Sequence, residues 1–257
     1  MTSSLRGPQL FYTSTPQQCP YLPDRMERKV LADLAVPDAD TLHSCLSRAG
    51  FRRSHTLAYA PLCVGCSACI PIRLPVQRFM PSRTQRRVWQ RNTDLTATLL
   101  PPTATQEQYD LFHLYLTQRH ATGEMAAMTQ RDYTVMLQDT PVDTRIIEFR
   151  DPTGALVAVS LTDVLEDGLS AVYSFFQPDM NHRSLGSYLI LFLIQQTALL
   201  QRPYLYLGYW IPESPKMAYK SRYRPAEILR DDRWQELDPA HPPSTLRTAL
   251  FPAAPLF

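Results

Sequence analysis

Apolar positions along the chain change period near residue 143, and two kinds of structure follow from the change. Upstream, Leu42, Cys45, Leu46 and Ala49 share one face of a short helix that Asp38 can cap and Gly50 can stop. FRRSHTLAY, residues 51–59, reads as a strand, and a second short strand is expected over 72–76. Ser82 can cap another helix, and residues 94–100 read as extended. Thr105 and Gln108 form a capping box for a helix that turns Tyr109, Phe112, Tyr115 and Leu116 inward. Downstream, β-like runs at 145–150, 155–165 and 169–176 are joined by the tight turns DPTG and EDG, which predicts an antiparallel meander. An apolar helix over 185–200 follows, with Ser184 at its cap. A strand over 204–209 comes after it, and a strand reached through a helix is expected to be parallel to an earlier one. A short helix over 215–222 and an extended piece over 227–229 come last. Residues 239–257 are proline-rich without periodicity and are expected to form a flexible tail.

These elements predict an α+β fold. Meander, helix, strand, helix, strand is the order of a GNAT-like acyltransferase core. That core is expected over 101–238, preceded by a cysteine-containing N-terminal region over 1–100. HRSLGS, residues 182–187, precedes the apolar helix, whose free N–H groups can cradle a phosphate. Arg183-x-x-Gly186 resembles half of the acyl-CoA pyrophosphate loop of that superfamily. Tyr188 stands where the final small residue belongs, so no coenzyme A is expected.

Composition adds little, since 44% hydrophobic and 19% charged residues are ordinary for a globular protein. No apolar leader is visible at the N-terminus, and Gln195 and Gln196 interrupt the longest apolar stretch. Neither a membrane span nor export is expected, which predicts a cytoplasmic protein with reduced thiols.

Charge changes the picture more. Nine arginines and no acidic residue lie in residues 48–91, although the chain carries a net charge of only +2. Surfaces ordinarily mix both signs, and a local field of one sign attracts polyanions such as nucleic acid. Arg83, Arg86 and Arg87 share a helix face suited to tRNA phosphates. Arg52 and Arg53 are neighbours in a strand and must point to opposite sides, so one of them faces inward or into a site. Within the same segment lies Cys63-x-x-Cys66-x-x-Cys69, and Cys19 is the best fourth thiol. Four thiolates suit zinc or an iron–sulfur cluster equally; as plain buried residues they would be small hydrophobes. Cys45 lies on an apolar helix face and is expected to pack. Finally, Tyr209, Trp210, Tyr219 and Tyr223 interleave with Lys216, Lys220, Arg222 and Arg224, a mixture that can stack unpaired nucleotides or simply form a tyrosine core face.

The segments CPYLPDRMER, GFRRSHTLAYAPLCVGCSACIPIRLPVQRF, PSRTQRR, RHATGEM, SAVYSFFQP, SLGSYLI and YLYLGYWIPESPKMAYKSRYRP occur in order from Cys19 to about residue 229. With them the chain resembles the arginyl-tRNA–protein transferase family, and within it the bacterial aspartate/glutamate leucyltransferases. The resemblance implies an N-degron enzyme that moves Leu from leucyl-tRNA onto proteins beginning with Asp or Glu, marking them for degradation. Leu22 stands where eukaryotic relatives carry a second N-terminal cysteine, so their ligand set does not transfer directly. The implied chemistry needs a cation for the acidic substrate side chain, and Arg52, Arg53, Lys216 and Lys220 are the candidates. Tyr173 is a candidate hydrogen-bonding group at the reaction centre, with Asp163 or Glu148 as base. Arg183 joins the tRNA-binding candidates. Rival expectations are an arginyl-tRNA donor on the same scaffold, an acyl-CoA-dependent N-acetyltransferase and a non-catalytic zinc nucleic-acid-binding protein.

Overall fold

The computed structural model describes residues 9–119 and 123–238. The expected tail over 239–257 and part of RHATGEM lie outside the described residues. The described residues open with β1 (Phe11–Thr13), β2 (Gln17–Gln18), β3 (Met26–Glu27) and β4 (Lys29–Asp33). Helix α1 (Ala39–Arg48), β5 (Arg52–Ser54), β6 (Leu57–Pro61) and β7 (Ile70–Pro75) follow. Then come α2 (Arg83–Arg91), β8 (Thr96–Leu100), α3 (Gln106–Arg119) and α4 (Gln130–Gln138). The meander is β9 (Thr144–Arg150), β10 (Leu156–Leu165) and β11 (Gly168–Phe176). Last are α5 (Leu185–Leu199), β12 (Tyr204–Trp210), β13 (Glu227–Arg230) and β14 (Arg233–Glu236).

The expected mixture of helices and strands is present, built around an eight-stranded sheet in the order β14-β13-β7-β12-β11-β10-β9-β8. β9, β10 and β11 pair antiparallel, and β12 returns through α5 to lie parallel to β11. β7 and β8, from the chain upstream of residue 100, lie in that same sheet. α2 and α5 cover one face, where Leu189, Leu193 and Val88 join Leu205 and Leu207 in a core. α3 packs against β10 and β11 on the other face, and its Phe112 and Leu116 join Tyr133 of α4 and Leu161 of β10 in a second cluster. Strand β10 is therefore buried on both sides, the apolar run over 156–159 and the polar Ser160, Thr162 and Asp163 alike. A smaller sheet, β1-β4-β6-β5, packs with α1 around Leu34, Leu42 and Ala58.

Several local expectations hold. Ser82 and Gln85 make a reciprocal capping box on α2, worth about 0.5–2 kcal/mol in helices generally. Thr105 and Gln108 do the same for α3. Others are corrected. The single strand expected over 51–59 is a hairpin, with Arg52 opposite Tyr59 and Ser54 opposite Leu57. His55 turns it in a left-handed conformation (φ +54°) without the glycine or asparagine that usually announces such a turn. Ser184 begins α5 at φ +53° and makes no side-chain cap. The helix expected over 215–222 is one tight 3-10 turn, Ala218–Arg222. Among the described residues no helix is long and apolar enough to cross a membrane.

Candidate active site

The parallel strands β11 and β12 pair only from Gly168–Tyr204 to Ser170–Tyr206. Immediately beyond, both strands slip register against their other neighbours. β11 gains Val172 between the pairs Leu161–Tyr173 and Thr162–Ala171, and β12 gains Leu207 between Tyr206–Arg73 and Gly208–Ile72. Such bulges bend a strand and end its pairing. Two of them facing each other part the sheet.

Arg52 fills the parting. It reaches from β5 and donates to the carbonyls of Ala171 (3.1 Å) and Val172 (2.9 Å) on β11 and of Leu207 (3.3 Å) on β12. Gly208 makes room: it sits at φ +75°, and a Cβ there would stand 1.5 Å from an Arg52 nitrogen. Arg53, one residue on, points the other way and is buried. Its Nε and Nη2 grip both oxygens of Asp163 at 2.7 and 2.8 Å, and Thr144 donates a third bond of 2.8 Å. His43 Nε2 lies 3.0 Å from the same carboxylate. Burial alone would raise the Asp163 pKa, but the hydrogen bonds and charges of His43 and Arg53 hold it well below the usual carboxylate range. Asp163 is fully buried and saturated with donors. Glu148 is likewise enclosed, accepting from Gln108 and Arg150.

Tyrosines surround the parted strands. Tyr173 lies on β11 past the bulge, edge-on to Phe112 at 6.1 Å. Burial raises its phenol pKa, and Tyr115 raises it further, so it stays a proton donor. Tyr115 and Tyr219 are also raised by burial. Sequence patterns missed Tyr115 because it looked like core; it is half-buried against Phe176 at 4.9 Å. Gly186, in the first turn of α5, lets that helix approach Phe176, where a Cβ would stand 3.1 Å from the ring.

Other sequence candidates are placed as follows. Lys220 is buried, its Nζ donating to the Tyr209 carbonyl at 2.6 Å. Burial and the nearby Arg52 push its pKa well below the ordinary lysine value. Lys216 is exposed on the turn before it. Tyr209, Trp210 and Tyr223 are buried, so their faces are closed to a nucleotide, whereas Tyr219 is 38% exposed. Tyr209 sets its hydroxyl 3.0 Å from the carbonyls of both Gly50 and Tyr59. Arg83, Arg86 and Arg87 are exposed on α2, and among the described residues none of them pairs with a carboxylate. Arg183 instead forks onto Asp94 at 2.9 and 2.8 Å.

Cys19, Cys63, Cys66 and Cys69 line one cavity together with Tyr21 and Tyr209. The Cys69 thiol is pushed up to about 12, first by burial and then by the fields of Cys19, Cys63 and Cys66. Among the described residues no three His, Cys, Asp or Glu side chains are gathered tightly enough to grip an ion as they stand. By its chemistry alone the donor set fits a soft cation, since four cysteines line one cavity and a positive charge there would favour their thiolates. Cys45 accepts from Arg48 Nη2 at 3.2 Å, away from this group.

Comparison with known proteins adds an independent line. Residues 107–230 match the arginine-tRNA-protein transferase family, C terminus, and residues 17–87 match its N terminus. An aspartate/glutamate leucyltransferase of Gluconacetobacter diazotrophicus is 60% identical over 92% of this chain and 91% of its own. Those of Gluconobacter oxydans and Paramagnetospirillum magneticum are 55% and 50% identical, over 90% and 91% of this chain and 96% of each of theirs. A solved structure of L-PGS from Bacillus licheniformis superposes at a TM-score of 0.45, with 14% identity over 56% of this chain and 47% of that one.

Proposed function

The chain belongs to the arginine-tRNA–protein transferase family, among relatives that are aspartate/glutamate leucyltransferases, and we propose from this that it transfers leucine from leucyl-tRNA to the N-terminus of proteins beginning with Asp or Glu. In the N-degron pathway that leucine marks its carrier for degradation. The reaction belongs in the cytoplasm, where charged tRNA is made. The observation that carries this reading into the structure is the parting of β11 and β12 around Arg52, beside phenol donors. Meander, α5 and parallel β12 follow the order of a GNAT-like acyltransferase core, and the gap opens between its two parallel strands.

The aminoacyl ester arrives already activated, so no covalent enzyme intermediate and no coenzyme A is needed. The acceptor's α-amine attacks the ester carbonyl, the bond to the tRNA ribose oxygen breaks, and a proton passes from nitrogen to the leaving oxygen. Alignment of the two substrates supplies much of the acceleration. Tyr173 and Tyr115, held protonated by burial, are the phenols assigned to the oxygen on which charge develops. Asp163 and Glu148 serve by positioning, since each is enclosed by its own donors. The exposed arginines of α2 hold tRNA phosphates, and Tyr219 is the ring with an open face for the acceptor end.

Purified protein should release deacylated tRNA from leucyl-tRNA only when a peptide starting with Asp or Glu is present. Equal release without peptide, or with a Ser-starting peptide, would reject the function. Parallel reactions with arginyl-tRNA identify the donor, and a preference for arginine would move the chain to the arginyl branch of the family.

Cys19, Cys63, Cys66 and Cys69 would hold zinc or an iron–sulfur cluster, which would pin the N-terminal lobe against β12 through Tyr209. Protein purified without oxygen should carry a stoichiometric metal by elemental analysis, with visible absorption if the metal is iron. Cys66→Ser should lose most of it. Wild-type protein without zinc or iron would end the proposal.

A further inference from the structure

We propose, building on the leucyl-transfer function above, that Arg52 is the specificity-determining residue that binds the side-chain carboxylate of the acceptor's first residue. Position comes first. The guanidinium sits where the two central strands part, bonded to carbonyls of both, with Tyr173 farther along β11. Charge comes second. Arg53, Arg73, Arg150 and Arg183 each meet a carboxylate, but among the described residues Arg52 meets none. Its three partners are carbonyls, which supply dipoles and leave a full positive charge uncompensated in a half-buried place.

Hydrogen-bond capacity comes third. A guanidinium has five N–H groups. Three are directed at Ala171, Val172 and Leu207, so among the described residues the Nε–H and one N–H of Nη1 remain for a ligand. An incoming carboxylate would complete the shell and neutralise the charge in one step. The three carbonyl bonds also fix the group before the substrate arrives, so little freedom is lost on binding.

The other basic candidates fit the task less well. Arg53 is already neutralised by Asp163. Lys220 points its ammonium at the Tyr209 carbonyl in a closed setting, and Lys216 stands in open solvent, where a single charge discriminates weakly.

Competition kinetics at fixed leucyl-tRNA, with paired peptides starting with Asp or Asn, test the assignment. The wild-type protein should favour Asp by at least roughly tenfold, because the neutral amide leaves the cation without its partner. In Arg52→Gln that ratio should fall close to one, with the loss concentrated in KM for the Asp peptide and leucyl-tRNA affinity held within about twofold. Arg52→Lys should keep part of the ratio, since charge survives while the planar fork is lost. Gly208→Ala attacks the same geometry with the charge intact, because its Cβ would displace the guanidinium; it too should lower the ratio. A wild-type ratio in Arg52→Gln overturns the assignment. So does an equal loss for both peptides with a lowered melting temperature, which would make Arg52 a brace between strands and nothing more. Should Arg52→Gln fail to fold, an unchanged ratio in Gly208→Ala overturns it. Wild-type protein that transfers no leucine to an Asp peptide would refute the transferase function itself, a result distinct from all of these.

Discussion

Asp163→Asn should lower the melting temperature by about 6–20 °C while leaving the folded enzyme able to turn over. The change keeps the shape of the side chain and removes its charge. Arg53 is then a buried cation gripping a neutral amide, and breaking a buried pair this way costs about 3–5 kcal/mol. In a domain of this size each kcal/mol moves the midpoint by about 2–4 °C. The sign of the pH effect follows from the depressed pKa of Asp163. Its stabilisation is complete above the unfolded carboxylate range near pH ~4 and is lost as pH falls below it through the folded value. The variant should therefore show a shallower acid limb than the wild type in a melt series. Transfer rates at 20 °C separate support from catalysis. A general base is worth about 10²–10⁴ in rate, so a loss below about tenfold in the folded variant identifies Asp163 as a positioning residue. A loss of a thousandfold would make it the base after all.

Replacing Arg83, Arg86 and Arg87 together with Gln should change tRNA binding more than any other surface substitution. All three are exposed on α2 and, among the described residues, have no carboxylate partner, so their loss costs the fold little. Three phosphate contacts contribute a slope of about 2.7 to the log–log salt dependence on duplex nucleic acid. Between 50 and 200 mM salt that slope amounts to roughly a forty-fold change in affinity, which the variant should no longer show. Melting temperature should hold, and so should the preference for Asp over Asn peptides. A salt slope identical to wild type would make this helix face an ordinary surface.

What the sequence makes legible here is mostly local. The capping boxes at Ser82 and Thr105 span four residues each, and the apolar run over 156–159 that opens β10 declares its burial without outside help. The reversal at His55 was hidden because its left-handed backbone is carried by a residue that does not advertise it. β14 was missed because RWQE has no periodicity of its own and is a strand only by pairing with β13. In the site, alternation already sends Arg52 and Arg53 to opposite sides. Which of them meets a carboxylate is decided by Asp163, about 110 residues away, and by the bulges at Val172 and Leu207, which leave no mark on hydrophobic pattern. The aromatic-basic run reads alike whether rings stack on bases or on the core. Burial closes Tyr209, Trp210 and Tyr223 and leaves Tyr219 open.

The placement of β7 bears on how the chain is made. It is flanked in the sheet by β12 and β13, and Leu74 pairs with Leu205, about 130 residues later. At ~5–20 residues per second a ribosome needs roughly 7–26 s to deliver that partner. Throughout that interval an apolar strand has neither neighbour and is open to pairing with other nascent chains. Its composition answers the hazard. Pro71 and Pro75 withhold donors from any stray ladder, and Arg73 sets a charge in the middle, as gatekeeper residues do. Once β12 and β14 arrive, that same arginine stacks 3.5 Å from the Tyr204 ring and 4.3 Å from Trp234, and the guard becomes part of the finished sheet.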